Sequence, residues 1–75
     1  MRDKALQQEL EVMQLVAEGH KDVAIARRLG VAPVTVRRRA QRFCRRVGAR
    51  NRAQAIAIAA TNGWLQPPAS PPPVS

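Results

Sequence analysis

The chain has 75 residues, 45% of them hydrophobic, and a formal net charge of +8 at neutral pH. This length allows a single domain whose core is marginal unless a second copy adds burial. One cysteine and one histidine exclude an intramolecular disulfide and leave too few nitrogen and sulfur ligands for a protein-only zinc site. No apolar run is long enough for a signal peptide or a membrane span, so we expect a cytoplasmic protein without a membrane partner. We also expect no cofactor and no small-molecule ligand.

Charge is distributed unevenly along the chain. Residues 1–22 contain all five acids and three bases, so residues 23–75 carry a net charge of +10. Ten arginines lie from Arg27 to Arg52, with no lysine or acid among them. A field of one sign attracts a polyanion, although a solvated surface without a partner is the alternative. Catalysis is not expected, because His20 has no serine or cysteine partner at a recognisable spacing. The composition therefore favours a binding protein over an enzyme.

The first half of the chain predicts two helices. Apolar periodicity predicts a helix over residues 5–18, which Gly19 ends. A helix of two turns over residues 23–29 follows, with Asp22 as its N-cap and Gly30 as its stop. The apolar side chains are Leu6, Leu10, Met13 and Ala17, widened by Val12 and Val16, in the first helix, and Ile25, Ala26 and Leu29 in the second.

A third helix is predicted from Pro33 to about Val47, with Gly48 as its stop. At 100° per residue, one side of this helix is apolar and the other carries arginine and glutamine. Arginine can donate two hydrogen bonds to guanine, and glutamine can pair with adenine, so the polar side has the chemistry of major-groove reading. The apolar stripe is Val36, Ala40, Phe43 and Val47, and the opposite side is Arg38, Gln41, Arg42 and Arg45, with Arg37 and Cys44 at one edge.

The second and third predicted helices have the spacing of a helix-turn-helix unit: a short helix, a turn that contains Gly30, and a longer helix. In such a unit the second helix enters the major groove N-terminus first. This geometry favours Arg37, Arg38 and Gln41 as base-reading residues. Others are expected to contact the DNA backbone, so that few residues provide specificity and many provide affinity. The expected backbone contacts are Thr35, Arg39, Arg42, Arg45, Arg46, Arg50 and Arg52.

A fourth helix is predicted from a capping box at Asn51 and Gln54 to about Asn62, with Gly63 as its stop. Ala55, Ile56 and Ala59 are expected to face the core. The helix is apolar nearly all round, so we expect a two-fold dimer on neighbouring half-sites, although alanine-rich helices also simply expose alanine. The predicted dimer interface is Gln54, Ala57, Ile58 and Thr61.

Residues 67–75 include five prolines, which forbid a helix. We expect a disordered or polyproline-like tail after a domain formed by residues 1–66. Two readings of this tail remain open, an inert solubilising end and a proline-rich ligand for another domain. Just before the tail, Trp64 is expected to cover the bundle rather than to stack on a base.

Motif blocks of this sequence, in this order, resemble the LuxR/GerE-type helix-turn-helix domain over about residues 5–65. The resemblance implies an all-α, four-helix DNA-binding domain of bacterial or phage transcription regulators, with the third helix in the major groove and the fourth used for dimerisation. It also implies that Arg37 and Gln41 face bases. Most members of the family attach this domain to a further module, but only about four residues precede the first predicted helix, so we expect a stand-alone member. The chain departs from the family at Lys21 and Ala32, which stand at helix starts where a capping residue is usual. It matches the family at Glu9, a recurrent acid that we expect to pair with an arginine such as Arg52. The blocks are residues 11–19 (EVMQLVAEG), 25–26 (IA) with 29–31 (LGV), 35–37 (TVR) and 51–55 (NRAQA).

These patterns together predict a sequence-specific regulator of transcription that binds double-stranded DNA as a dimer on an inverted repeat. Two alternatives keep the same fold. One is an adaptor that binds RNA polymerase, a sigma factor or another regulator through the acidic first helix or the proline-rich tail. The other is a nonspecific nucleic-acid-binding protein.

Overall fold

The computed structural model describes residues 3–66, which form four α-helices and no strand. The longest helix, α3, contacts each of the other three and forms the centre of the bundle. The predicted all-α, four-helix architecture is confirmed. The proline-rich tail predicted for residues 67–75 lies outside the described residues. The helices are α1 (Lys4–Ala17), α2 (Asp22–Leu29), α3 (Pro33–Val47) and α4 (Arg52–Thr61).

Helix α1 begins one residue before its predicted start because Asp3 caps it. The Asp3 Oδ1 atom accepts a hydrogen bond from the Ala5 backbone N–H at 2.9 Å, which satisfies one of the amides that a helix N-terminus leaves free. At the other end, Gly19 follows the helix as predicted.

The predicted N-cap of α2 is wrong. Asp22 is the first helical residue, and Lys21 occupies the N-cap position without a side-chain hydrogen bond. The carboxylate of Asp22 is turned instead toward Arg52 of α4. The predicted stop is confirmed: Gly30 has φ 70°, a left-handed conformation that costs glycine little and lets the chain turn directly into α3.

Helix α3 has the predicted bounds, with Pro33 in its first turn and Gly48 after its end. Half of the predicted capping box of α4 is confirmed, because Asn51 Oδ1 accepts a hydrogen bond from the Gln54 N–H at 2.8 Å. The other half, a hydrogen bond from the Asn51 backbone N–H to the Gln54 side chain, is not formed. Gln54 Oε1 accepts instead from the backbone N–H of Arg50 at 2.7 Å. The side chain of Gln54 therefore also fixes the α3–α4 turn.

The apolar stripe predicted for α3 is the main wall of the core. Val36, Ala40 and Phe43 are 0–1% exposed, and Val47 is half-buried at the helix end. Trp64 stands edge-on to Phe43, with ring centroids 6.5 Å apart, and covers one side of the core, as expected of a lid. The other buried apolar residues are Val12, Met13, Ile25, Ala26, Ala55, Ala59 and Leu65.

The buried side of α1 is rotated relative to the predicted stripe. Val12 and Met13 are fully buried, whereas Leu6 and Leu10 at the stripe's centre are only half-buried. The rotation brings Glu9 inside at 2% exposure, because residues three and four positions apart share a helix face. A carboxylate can occupy such a position only with a partner.

That partner is Arg46 of α3. Its Nε donates to Glu9 Oε1 at 2.8 Å and its Nη2 donates to Oε2 at 2.9 Å, a bidentate pair that satisfies both carboxylate oxygens. Asp3 lies 3.7 Å from the same guanidinium and adds a weaker attraction. The prediction that Glu9 pairs with an arginine is confirmed, but the partner is Arg46 and not the suggested Arg52, which pairs with Asp22. The ion pair with Arg46 joins the first turns of α1 to the last turns of α3.

We expect Arg46→Ala to destabilise the fold, because it leaves the carboxylate of Glu9 buried without its partner. The melting temperature, followed by circular dichroism at neutral pH, should fall by about 10 °C or more. Arg50→Ala removes an exposed guanidinium from the same region and should change the melting temperature by no more than about 2 °C. Adding Glu9→Leu to Arg46→Ala should restore part of the loss, and equal melting temperatures for Arg46→Ala and the wild type would contradict this role.

Candidate nucleic-acid interface

Helices α2 and α3 and the turn between them form a helix-turn-helix unit. Ile25 and Ala26 are buried on the side of α2 that packs toward α3. Gly30 reverses the chain, and α3 begins three residues later at Pro33. The second helix of the unit is thus fixed to the bundle along its buried side, and its other side faces solvent.

Most of the residues that the sequence predicted for DNA contact lie on α3, while Arg50 lies in the turn after it and Arg52 begins α4. Arg37, Arg38 and Gln41, the predicted base readers, are all exposed. The predicted backbone contacts are more varied, because Thr35, Arg39 and Arg52 are half-buried. The remaining backbone candidates are exposed, namely Arg42, Arg45, Arg46 and Arg50.

Two of these arginines are held by acids of the same chain. Arg46 is paired with Glu9, and the hydrogen bonds that its guanidinium donates to that carboxylate raise the pKa of Arg46. Arg52 Nη1 and Nη2 donate to the two oxygens of Asp22 at 2.6 and 2.9 Å. Among residues 3–66, no acid lies within ion-pair distance of the remaining members of the arginine cluster. Sequence reasoning did not separate these two groups of arginines.

The pair of Asp22 and Arg52 ties the N-terminus of α2 to that of α4. Hydrogen bonding by Arg52 lowers the pKa of Asp22; partial burial opposes this shift, and the positive charges of Arg52 and Arg37 add to it. The charge of Arg37 therefore reaches the start of α2.

A cleft opens between α3 and the α3–α4 turn. Gln41 and Arg45 line it from the helix, and Arg50, Asn51 and Arg52 line it from the turn and the start of α4. No acid contributes to its lining. The cleft therefore brings a predicted base reader next to predicted backbone contacts. Its other lining residues are Ala40, Ala49 and the half-buried free thiol of Cys44.

The predicted dimer stripe on α4 is only partly open to solvent. Gln54, Ala57 and Thr61 are exposed, although Gln54 is also bonded to the Arg50 amide. Ile58 is half-buried. It lines an apolar groove together with Leu6, Leu10, Arg46, Val47 and Trp64.

The described residues offer little for other kinds of site. Across residues 3–66, no three His, Cys, Asp or Glu side chains are grouped closely enough to hold a metal ion. In the same part of the chain, no helix is long and apolar enough to cross a membrane.

A helix-turn-helix unit whose second helix presents arginines to solvent is an arrangement used by DNA-binding transcription regulators. The family model described as bacterial regulatory proteins, luxR family, matches residues 7–59 of this 75-residue chain. The chain belongs to that family, and the resemblance of its motif blocks is confirmed. No curated protein sequence matches the chain.

The ion pair of Asp22 predicts a specific dependence of stability on pH. Because its pKa is lower in the folded state, its contribution is complete above about pH 4 and is lost as the pH falls through the folded value. Asp22→Asn should therefore be less stable than the wild type at pH 7 by about 0.5–1 kcal/mol, since both side chains remain in contact with water. The difference should shrink below about pH 4.

Urea unfolding at a series of pH values measures this effect. Glu11→Gln, which neutralises an exposed acid outside the ion pairs, serves as the control and should match the wild type at pH 7. Curves for Asp22→Asn and the wild type that stay parallel down to about pH 2 would show that the ion pair does not contribute as described.

Proposed function

We propose that this chain binds double-stranded DNA sequence-specifically and reads the major groove with α3. The observation that carries the proposal is the division of α3 into two sides. Its apolar side is 0–1% exposed at Val36, Ala40 and Phe43, and its other side exposes arginines and a glutamine. Because the apolar side fixes the helix to the bundle, the polar side is held in place before DNA is met, which limits the entropy lost on binding.

The proposed base-reading residues are Arg37, Arg38 and Gln41. They are exposed and lie in the first two-thirds of α3, the part that enters the groove when such a unit docks N-terminus first. Arginine can donate a pair of hydrogen bonds to guanine O6 and N7, and the glutamine amide can pair with adenine N6 and N7. The sequence preference would then come from these three side chains.

Backbone contacts are proposed for the residues of the cluster that hold no internal ion pair. Arg45 and Arg50 line the acid-free cleft beside Gln41, a suitable place for phosphates that flank the bases. Arg46 and Arg52, which the sequence predicted as backbone contacts, are proposed to stabilise the fold instead. Each guanidinium already donates two hydrogen bonds to an acid of the chain, Arg46 to Glu9 and Arg52 to Asp22. The proposed backbone contacts are Thr35, Arg39, Arg42, Arg45 and Arg50.

We also propose that two copies bind an inverted repeat as a two-fold dimer through α4. The exposed side chains of Gln54, Ala57 and Thr61 share one face of that helix, and Ile58 lies at its edge. Such a dimer places two α3 helices on half-sites about one DNA turn apart. Because DNA is the proposed partner, the proposed location is the cytoplasm, at the nucleoid.

Substitutions on α3 should separate base reading from backbone binding. A preferred site is first selected from random duplexes, and affinities for this site and for a shuffled duplex are measured by fluorescence anisotropy. Arg37→Ala and Gln41→Ala should each cost about 1–3 kcal/mol on the preferred site and relax the preference at one position. Arg50→Ala should weaken both duplexes alike and reduce the slope of log affinity against log salt by about 0.9.

Lys4→Ala is the control, because it removes one positive charge from exposed α1, outside the proposed surface. It should leave the ratio of the two affinities unchanged. Equal losses on both duplexes for Arg37→Ala and Gln41→Ala would reject base reading and favour nonspecific binding. Retained capture of RNA polymerase or a sigma factor by an Arg37→Ala/Arg38→Ala variant that no longer binds DNA would favour the adaptor function.

The dimer can be tested with a charge on the exposed face of α4. Ala57→Glu places a carboxylate at the centre of the proposed two-fold interface, where its copy would face it, and should reduce two chains per inverted repeat to one in sedimentation experiments. Ala60→Glu adds the same charge at an exposed position of α4 outside the stripe and should keep the wild-type stoichiometry. Two bound Ala57→Glu chains, with wild-type affinity, would exclude this interface.

A further inference from the structure

One apolar side chain stands on the arginine face of α3. Val34, the second residue of the helix, is 46% exposed. It repeats with Arg38, Gln41 and Arg45 at spacings of three or four residues, so the four share one face of the helix. That face lies opposite the buried side chain of Phe43.

The other large exposed hydrophobic residues of the described chain stand in different places. Trp64 contacts Phe43 edge-on, and Val23 lies on α2. Val34 alone of the three belongs to α3, and its neighbours on that face are cationic or amide side chains that form no ion pair within residues 3–66. A partner that fits this position offers an apolar group within a strongly anionic surface.

The major groove of DNA offers that combination. The C5-methyl group of thymine is its characteristic apolar feature, and it lies among base-edge hydrogen-bonding groups and between two phosphate backbones. An aliphatic side chain at the N-terminal end of a helix that enters the groove N-terminus first would reach this methyl group before the arginines that follow it. A branched side chain is also stiff at χ1, so little rotamer freedom is lost in the contact.

We propose that Val34 is a specificity-determining residue that contacts the C5-methyl group of one thymine in each half-site, next to the bases read by Arg37 and Arg38. This inference rests on the proposed function, because it requires α3 to lie in the major groove. It adds an apolar contact to a face whose other proposed contacts are hydrogen bonds. The expected consequence is a preference for thymine over cytosine or uracil at that position.

The experiment removes only the methyl group from the DNA. Each thymine of the site selected by the wild-type chain is replaced in turn by deoxyuridine, and the affinity is measured at fixed salt. For the wild type, one thymine per half-site should show a loss of about fourfold, the ratio that corresponds to ~0.8 kcal/mol for one buried methyl-sized group. Serine is acceptable at an exposed position in the first turn of a helix, so Val34→Ser should fold. This variant should bind the duplex with thymine and the duplex with deoxyuridine at that position with equal affinity.

Val23→Ser is the matched control, because it makes the same change at an exposed valine of α2 and should retain the fourfold ratio. Circular dichroism melting curves establish that both variants fold. Specific wild-type binding without any response to deoxyuridine, a selected site without thymine, or an unchanged ratio in Val34→Ser would overturn the role of Val34 and leave the proposed function standing. Failure of the wild type to select any sequence would overturn both.

Discussion

The arrangement of the bundle depends on one buried carboxylate. Glu9 is 2% exposed, and the two hydrogen bonds from Arg46 make that burial possible. The pair lies where α1 crosses α3, so it fixes the rotation of α1 and directs Val12 and Met13 into the core. Because α3 is the helix that all others contact, a pair that holds α1 against it joins α1 to the centre of the bundle.

The ion pairs divide the arginine cluster into two functions. Glu9 and Asp22 bind Arg46 and Arg52, and both pairs connect helices that are distant in sequence. Of the arginines left without such partners in residues 3–66, Arg27 and Arg28 lie on α2, and the others lie on α3 and in the α3–α4 turn. Two acids near the start of the chain therefore affect the basic surface near its middle. The two guanidinium groups that they bind stabilise the fold and are no longer free to bind a partner.

Local signals made much of this fold predictable. Pro33 and Gly48 mark the ends of α3, and the wheel of α3 separates its buried and exposed sides, because both depend on residues within a few positions of each other. Pairings over long separations could not be found in this way. Asp22 looks like a cap when only its neighbours are considered, and its bond to Arg52 depends on how α2 and α4 meet. For Glu9 one local signal did indicate burial. It lies three positions before Val12 and four before Met13, so the three residues share one face of α1.

The same long-range pairs bear on how the candidate site would work. The bond between Asp22 and Arg52 holds the start of α4 against the start of α2, and the Gln54 side chain holds the Arg50 amide. The α3–α4 turn is thus fixed from both sides, and the cleft between it and Gln41 has a defined shape before any ligand enters. A surface ordered in advance loses less conformational entropy on binding. The proposed base contacts from α3 and backbone contacts from the turn can then be made together, because the buried side of α3 and these bonds of the turn hold both segments in advance.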